Sequence, residues 1–109
     1  MSYQATYQES SLERAEIDTR RGFMVVEFGA NWCGHCQAAQ PAIREALADH
    51  PGLAHFKIED GPGRRLGRSF RVKLWPTLIL LRDGQEVARV VRPAGVAEIR
   101  EALRAMHAG

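Results

Sequence analysis

Apolar residues in this chain fall into short continuous runs and helically spaced sets, with polar turns between them. Three runs, Phe23 to Phe28, Leu53 to Ile58 and Thr77 to Arg82, predict β-strands. The first is nearly continuous in apolar residues, which is expected of a parallel strand covered on both faces. A fourth run, Glu86 to Val91, follows the third through Asp83-Gly84, a dipeptide that strongly predicts a hairpin turn.

Helical spacing of apolar residues predicts four helices around these strands. The longest extends from Cys33 to His50, and the last covers Val96 to Met106. A weakly patterned first helix begins after Ser10 or Ser11 and ends at Gly22, and a short basic helix lies around Arg64 to Phe70. The order β-α-β, α, β-hairpin, α predicts an α/β fold in which a mixed central sheet has helices on both faces.

Length and charge narrow the class of protein. The 109 residues are expected to form one domain, 1–109, whose core needs no structural disulfide. Residues 1–20 are polar and contain no apolar signal segment, and no stretch approaches the roughly 20 apolar residues of a membrane span. The net charge of +2 is too small to indicate nucleic acid. We therefore expect a soluble, cytoplasmic monomer without membrane or nucleic-acid partners.

The two cysteines of the chain, Cys33 and Cys36, lie between the first predicted strand and the longest helix. At a helix N-terminus, unpaired N–H groups and the positive end of the helix dipole favour a thiolate over a thiol. Gly34 permits a tight turn, so Cys36 can close a short disulfide with Cys33. In a reducing compartment such a pair is catalytic or metal-binding more often than structural. The segment therefore predicts a redox site.

A zinc site is the metal-binding alternative, because Cys33, Cys36, His50 and His55 have a spacing within the zinc-finger range. A finger needs both histidines on one helix face, but Pro51-Gly52 stands between them as a helix stop. One long helix after Cys36 would also carry His50 more than about 15 Å from the thiols, at about 1.5 Å per residue. The pattern therefore favours redox chemistry, and no metal or other cofactor is expected.

A set of ordered motifs resembles the thioredoxin family along nearly the whole chain. The matching features are Val26-Glu27-Phe28 leading into Ala30-Asn31-Trp32-Cys33, then Pro41, Trp75-Pro76-Thr77, Asp83-Gly84 and the final amphipathic helix. The resemblance implies a thioredoxin-like fold and thiol-disulfide exchange on protein disulfides or dithiols. It also implies thioredoxin reductase or glutathione as a source of electrons.

The resemblance assigns roles to individual residues. Cys33 would attack a substrate disulfide, and Cys36 would then attack the Cys33 sulfur to release the reduced substrate. Pro76 would form a cis peptide bond beside the dithiol, where backbone groups pair with an incoming peptide. Glu27 would relay the proton of Cys36, although the family usually has aspartate there. Lys57 is a possible charge partner for Glu27, since a lone buried carboxylate would be driven to its neutral form.

His35 replaces the proline that thioredoxins most often have and gives the Cys-Gly-His-Cys motif of protein disulfide isomerase. An imidazole beside the Cys33 thiolate stabilises the reduced form and makes the disulfide a better oxidant. A cytoplasmic location favours reduction instead, so a reductase is the first hypothesis. An oxidase or isomerase in an oxidising compartment and a non-catalytic thioredoxin-fold binding or chaperone module are the alternatives.

Departures from the family also fall on the expected docking surface. Trp75 replaces a smaller aliphatic residue, and Arg92 puts a long cation near the substrate groove. Together with Trp32, these residues favour a selective, acidic protein partner, although drift on an exposed rim explains them nearly as well. A basic run without intervening acids predicts a solvated helix face or a docking site for an acidic partner; it comprises Arg64, Arg65, Arg68, Arg71 and Lys73.

Overall fold

The apolar runs form a four-stranded sheet in the computed structural model, which describes residues 3–108. Its strands are β1 (Phe23–Gly29), β2 (Ala54–Glu59), β3 (Thr77–Arg82) and β4 (Gln85–Val91). Their order across the sheet is β2-β1-β3-β4. Strand β2 is parallel to β1, whereas β3 is antiparallel to both β1 and β4, so the predicted mixed sheet is confirmed. Residues 1, 2 and 109 of the expected domain lie outside the described residues.

Helices cover both faces of this sheet, as predicted. They are α1 (Arg14–Asp18), α2 (Gly34–Ala48), α3 (Arg65–Ser69) and α4 (Val96–His107). Apolar side chains of α2 and α4 pack with one set of strand residues in one core cluster, and those of α1 and α3 pack with the other set in a second cluster. Because β1 lies inside the sheet, it contributes side chains to both clusters.

The hairpin between β3 and β4 is also confirmed. Asp83 and Gly84 have φ angles of 51° and 81°, a combination that a two-residue turn of this kind requires. A Cβ atom on Gly84 would lie 2.0 Å from the carbonyl oxygen of Asp18, so glycine is also needed for the close approach of the turn to α1. No helix within residues 3–108 has the length and apolar character needed to cross a membrane.

The predicted first helix is wrong in extent. The prediction ran from Ser10 or Ser11 to Gly22, whereas α1 contains 5 residues. Glu13 is its N-cap and forms a capping box with Glu16, so the helix begins later than the serines suggested. The hydroxyl of Ser10 instead accepts a hydrogen bond from the amide of Leu12, in a turn ahead of the helix.

The segment before α1 runs along the outer edge of β2, which the sequence did not predict. The amide of Gln8 donates to the carbonyl of Lys57 at 2.9 Å, and the amide of Glu59 donates to the carbonyl of Gln8 at 2.9 Å. Gln8 therefore forms a parallel bridge with Ile58. This pairing fixes the neighbouring Tyr7 close to the end of β1 that leads to the dithiol.

Candidate active site

Strand β1 places two unusual residues on the face that α2 covers. Side chains alternate between faces along a strand, so Val25, Glu27 and Gly29 share one face. A Cβ atom at Gly29 would lie 2.6 Å from the Cys36 sulfur and 2.7 Å from the Tyr7 hydroxyl. Glycine therefore leaves the space in which these two groups meet.

The dithiol lies at the N-terminus of α2. Cys33 is the N-cap residue, and its sulfur accepts a hydrogen bond from the backbone amide of Cys36 at 3.2 Å. Both cysteines are free, and their exposed fractions are 7% for Cys33 and 1% for Cys36. Burial, followed by the hydrogen bond with Cys33, raises the pKa of Cys36 to about 11. Cys36 is therefore a buried thiol at neutral pH, and Cys33 is the more exposed of the two cysteines.

An aromatic rim lies beside the dithiol. The peptide bond between Trp75 and Pro76 is cis, as the family resemblance implied, and Pro76 is buried. The indole N–H of Trp75 donates to the Asp60 carboxylate at 2.9 Å. The Trp75 ring also packs edge-on against Trp32 with centroids 5.6 Å apart, and Trp32 is 75% exposed. Trp75 packs against the cluster that contains both cysteines, and Trp32 extends this aromatic surface into solvent.

Arg92 lies against the backbone around the cis peptide bond of Pro76. Its φ angle is 48°, and its backbone amide donates to the Pro76 carbonyl at 2.9 Å. Its guanidinium donates from Nε to the carbonyl of Trp75 at 2.8 Å. The expected cation is therefore beside the cis peptide bond, with its side chain exposed. This contact occupies one hydrogen-bonding group of the residue that precedes Pro76.

Glu27 is fully buried and accepts hydrogen bonds from three side chains. His55 Nε2 lies 2.9 Å from Oε1, Gln40 Nε2 donates to Oε2 at 3.0 Å, and the Tyr7 hydroxyl donates to Oε2. Burial raises the pKa of Glu27, but the interactions with His55, Tyr7 and Gln40 outweigh it and hold that pKa below its ordinary value. Glu27 is therefore a carboxylate.

His55 acts here as a neutral donor. Its Nδ1 accepts the backbone amide of Gln4 at 2.9 Å, so that nitrogen has no proton. The ring proton must then be on Nε2, which donates to Glu27. The contact is therefore a hydrogen bond from an uncharged imidazole, and His55 is a fixed part of the carboxylate's surroundings.

Lys57 does not contact Glu27 directly, although the two residues are register partners in β1 and β2. Its ammonium donates to the carbonyl of Ala5 at 2.8 Å and to Gln40 Oε1 at 2.6 Å. Burial lowers the pKa of Lys57, and the charge of Glu27 acts in the opposite direction. Lys57 was expected to be the direct partner of Glu27, but His55 makes that contact. Lys57 is connected to Glu27 only through the Gln40 amide.

His35 and the two histidines considered as zinc ligands lie in three different parts of the structure. His35 is exposed in the first turn of α2. His50 stacks on His107 with ring centroids 5.1 Å apart, whereas His55 faces Glu27. Within residues 3–108, no three histidine, cysteine, aspartate or glutamate side chains form a group that could hold a metal ion.

Three residues of this site were missed by the sequence reasoning. Tyr7 lies in an N-terminal segment without periodicity, His55 was considered only as a zinc ligand, and Gln40 was not considered. One signal was available for His55: it lies two positions before Lys57, so the two side chains share a face of β2. Tyr7 offered none, because its position depends on the unpredicted pairing of Gln8 with β2.

Comparisons with known proteins agree with this geometry. The thioredoxin family model matches residues 5–105. A thioredoxin from Chlamydia pneumoniae is 39% identical over 70 residues, which are 64% of this chain and 69% of that protein. An H-type thioredoxin from Fagopyrum esculentum is 32% identical over 68 residues, or 62% of this chain, and the match spans 59% of that relative's length.

Solved structures give the same result. The reduced form of thioredoxin 2 from Pseudomonas aeruginosa PAO1 is 54% identical, with a TM-score of 0.85, and the alignment covers 95% of this chain and 96% of that one. A mutant thioredoxin from Halobacterium salinarum is 26% identical, with a TM-score of 0.73 and coverage of 95% and 91%. Because the family match takes in the dithiol, the whole sheet and most of α4, this chain belongs to the thioredoxin family.

Proposed function

We propose that this chain is a thiol-disulfide oxidoreductase that reduces protein disulfides through Cys33 and Cys36. The observation that carries the proposal is the sulfur of Cys33, which caps α2 by accepting the amide of Cys36 at 3.2 Å. This contact holds the two sulfurs next to each other and favours negative charge on the Cys33 sulfur. Membership of the thioredoxin family supports the same chemistry.

The two thiols have different roles in this proposal. Cys33 is the nucleophile, because it is the more exposed of the two cysteines. Its thiolate attacks one sulfur of the substrate disulfide, a mixed disulfide forms, and the other substrate sulfur leaves as a thiolate. Cys36 then attacks the Cys33 sulfur and expels the second substrate thiolate. Burial keeps Cys36 protonated until this second step, which protects it from reaction with substrate.

Glu27 is proposed as the acceptor of the Cys36 proton. It is the carboxylate on the strand face below the dithiol, and its hydrogen bonds keep it ionised. Lys57 supports this charge indirectly, since its ammonium is held by the same Gln40 amide that donates to Glu27. A buried carboxylate is costly, and this number of donors at one site is what offsets the cost.

The exposed rim is proposed as the docking surface for the substrate protein. Trp32 and Trp75 supply apolar contact area, and Arg92 adds a cation beside the cis peptide bond of Pro76. This chemistry suits a peptide with an acidic residue near its disulfide, which is the selective partner we expected. Thioredoxin reductase or glutathione is proposed as the electron donor. The cytoplasm is the proposed location, because its thiol pool would keep the dithiol reduced.

A disulfide oxidase or isomerase is the second candidate, and the exposed His35 in the first turn of α2 favours it. Thioredoxin and protein disulfide isomerase differ by roughly 90 mV in reduction potential. We expect His35→Pro to lower the reduction potential measured against glutathione. His35→Ala separates the loss of the imidazole from the gain of proline. Gln37→Pro is not a suitable control, because it would disturb α2. An unchanged potential in both variants would remove His35 from this role.

Insulin reduction in the presence of dithiothreitol tests the activity. Wild type should accelerate precipitation of the insulin B chain, and Cys33→Ser should abolish the acceleration. Cys36→Ser is the matched control: it should also fail to turn over, yet without dithiothreitol it should retain a mixed disulfide with its substrate on Cys33. Equal acceleration by wild type and Cys33→Ser would overturn the proposed function. The trapped substrate of Cys36→Ser, identified by mass spectrometry, would name the partner.

A further inference from the structure

We propose that Tyr7 is a catalytic residue of the resolving step, in which its hydroxyl passes the proton of Cys36 to Glu27. This proposal rests on the proposed oxidoreductase function and adds a group that the family motifs do not contain. Three observations carry it: the contacts of the Tyr7 hydroxyl, the space that Gly29 leaves open, and the bonds that fix Tyr7 in place.

The Tyr7 hydroxyl interacts with both groups that must exchange the proton. It donates a hydrogen bond to Glu27 Oε2. The Cys36 sulfur lies beside the same hydroxyl, since both are within 2.7 Å of the point that a Cβ atom at Gly29 would occupy, and the two groups influence each other's pKa. Glu27 accepts hydrogen bonds from Tyr7, Gln40 and His55. Of these donors, Tyr7 has its hydroxyl beside the Cys36 sulfur, so it connects the carboxylate to the thiol.

Gly29 makes this arrangement possible. The hydroxyl of Tyr7 and the sulfur of Cys36 both lie within 2.7 Å of the point that a Cβ atom of residue 29 would occupy. Any larger residue at this position of β1 would push one of the two groups away. The floor of the site is therefore bare backbone, with the phenol and the thiol side by side above it.

Tyr7 is held from both sides. Its backbone amide donates to Asn31 Oδ1 at 2.8 Å, and Asn31 Nδ2 donates to the Tyr7 carbonyl at 3.1 Å. The residue is 6% exposed, and the ammonium of Lys57 lies 4.6 Å from the centroid of its ring. These contacts fix the phenol within a buried cluster, as a proton-transfer group requires.

The charges around the hydroxyl decide how the proton moves. Burial and then the charge of Glu27 raise the pKa of Tyr7, so a tyrosinate is strongly disfavoured. Tyr7 must therefore receive one proton as it gives up another. Glu27 is a carboxylate and His55 is a neutral donor to it, so Oε2 of Glu27 can accept the proton that Tyr7 releases.

In the resolving step, the Cys36 proton moves to the Tyr7 oxygen while the Tyr7 hydroxyl proton moves to Glu27 Oε2. The Cys36 sulfur forms a bond to the Cys33 sulfur, and the bond between Cys33 and the substrate sulfur breaks. The electron pair of that bond leaves on the substrate thiolate, which takes a proton from solvent. The two cysteines are oxidised to a disulfide, the substrate is reduced, and Tyr7 ends as a neutral phenol.

Formation of the mixed disulfide prepares this transfer. After burial, the hydrogen bond with Cys33 is the largest influence that raises the pKa of Cys36, and the Cys33 charge acts in the same direction. Both influences end when Cys33 is bound to substrate, because its sulfur then carries no charge or proton. Cys36 becomes easier to deprotonate at the stage at which Tyr7 is needed.

Reaction with dithiobis(nitrobenzoate) separates the two sulfur attacks, because each releases one coloured nitrothiobenzoate. In stopped-flow measurements, Tyr7→Phe should release the first equivalent at the wild-type rate and the second about 100-fold more slowly, the lower end of the effect of a positioned acid or base. Tyr3→Phe is the matched control, since it removes the other phenol hydroxyl of the chain, which donates to Gln40 Oε1 at 2.7 Å and not to Glu27. It should leave both rates unchanged.

A double variant tests whether Tyr7 and Glu27 act in series. Glu27→Gln should slow the second release, and Tyr7→Phe combined with Glu27→Gln should be no slower than the slower single variant. An unchanged second release in Tyr7→Phe, equal slowing of both releases, or multiplied effects in the double variant would each overturn the proposal. A wild-type protein that releases a single equivalent would overturn the dithiol function itself, and the Tyr7 proposal with it.

Discussion

The two faces of β1 bury different kinds of side chain. On the face toward α1 and α3, Met24, Val26 and Phe28 are buried in a wholly apolar cluster. On the face toward α2, Val25 is followed by the buried carboxylate of Glu27 and by Gly29. One strand therefore contributes only apolar side chains to the core on one face, and on the other it combines a core residue, Val25, with a polar, donor-lined site.

The difference shows how the site is separated from the rest of the core. Moving a carboxylate from water into an apolar cluster is costly unless hydrogen bonds replace its solvent, and Glu27 obtains them from His55, Tyr7 and Gln40. Those donors come from three separate parts of the chain. Substitutions on the first face should therefore change stability alone, whereas those on the second should change stability, chemistry and pH dependence together.

Phe28→Ala should have the largest effect on stability. Phe28 is fully buried and packs against Phe70 with centroids 5.8 Å apart, so its truncation leaves a cavity. We expect a loss of about 3 to 5 kcal/mol in the free energy of unfolding, measured with urea. Phe23→Ala, at the 38% exposed start of the same strand, is the control and should lose much less. Equal losses would contradict the assignment of Phe28 to the core.

His55→Leu should have the next largest effect. It removes the Nε2 donor to Glu27 and the Nδ1 acceptor of the Gln4 amide but keeps apolar bulk. The buried groups left without a partner should reduce the free energy of unfolding by about 1 to 3 kcal/mol at neutral pH. The exposed His107 offers a control, since His107→Leu should change stability by less than about 0.5 kcal/mol. A His55 variant as stable as wild type would mean that Glu27 does not need this donor.

The two faces also differ in how well the sequence predicted them. The apolar face of β1 and the bounds of β3 follow from hydrophobic runs, because burial of a strand leaves a local pattern. The surroundings of Glu27 do not, since its partners depend on strand register and lie 20 and 28 residues away for Tyr7 and His55. The family resemblance predicted Lys57 as the partner of Glu27, and Lys57 does lie near the site, where it contacts Gln40. Only the structure shows that the imidazole of His55 makes the direct contact with the carboxylate.

The active-site turn was the most predictable part of the site. Cys33 and Cys36 are only three positions apart in the sequence, so the geometry of the first helical turn alone brings them together. The extent of α1 was less predictable, because serine is a preferred N-cap residue, whereas the helix is capped by Glu13 and Ser10 forms a turn ahead of it. Local chemistry thus identifies the thiols, and long-range pairing decides what surrounds them.

Glu27→Gln should make the stability of the protein less dependent on pH in the acidic range, an effect smaller than those of Phe28→Ala and His55→Leu. The pKa of Glu27 is lower in the folded state than its ordinary value of 4.5, so its contribution is fully present above that value and is lost as the pH falls through the folded pKa. Urea unfolding midpoints measured from neutral to acidic pH should therefore decline less steeply in the variant. Parallel declines would show that Glu27 is not the group responsible.

Arg92→Ala should have the smallest effect on stability, within about 0.5 kcal/mol, because the side chain is exposed. It frees the carbonyl of Trp75, which Arg92 Nε contacts at 2.8 Å. We expect KM to fall for neutral peptide disulfides and to rise for acidic ones, with kcat unchanged. Arg89→Ala, which breaks a surface pair with Glu86, is the control. The same KM change for both classes of peptide would contradict a selective role for this cation.

Alkylation of the reduced protein most directly tests the claim that one sulfur attacks while the other is held in reserve. The two thiols differ in exposure, and the pKa of Cys36 is raised to about 11. Iodoacetamide at neutral pH, followed by peptide mass spectrometry, should label Cys33 and leave Cys36 unmodified until the solution becomes strongly alkaline. Equal labelling of Cys33 and Cys36 at neutral pH would contradict the division of roles between the two thiols.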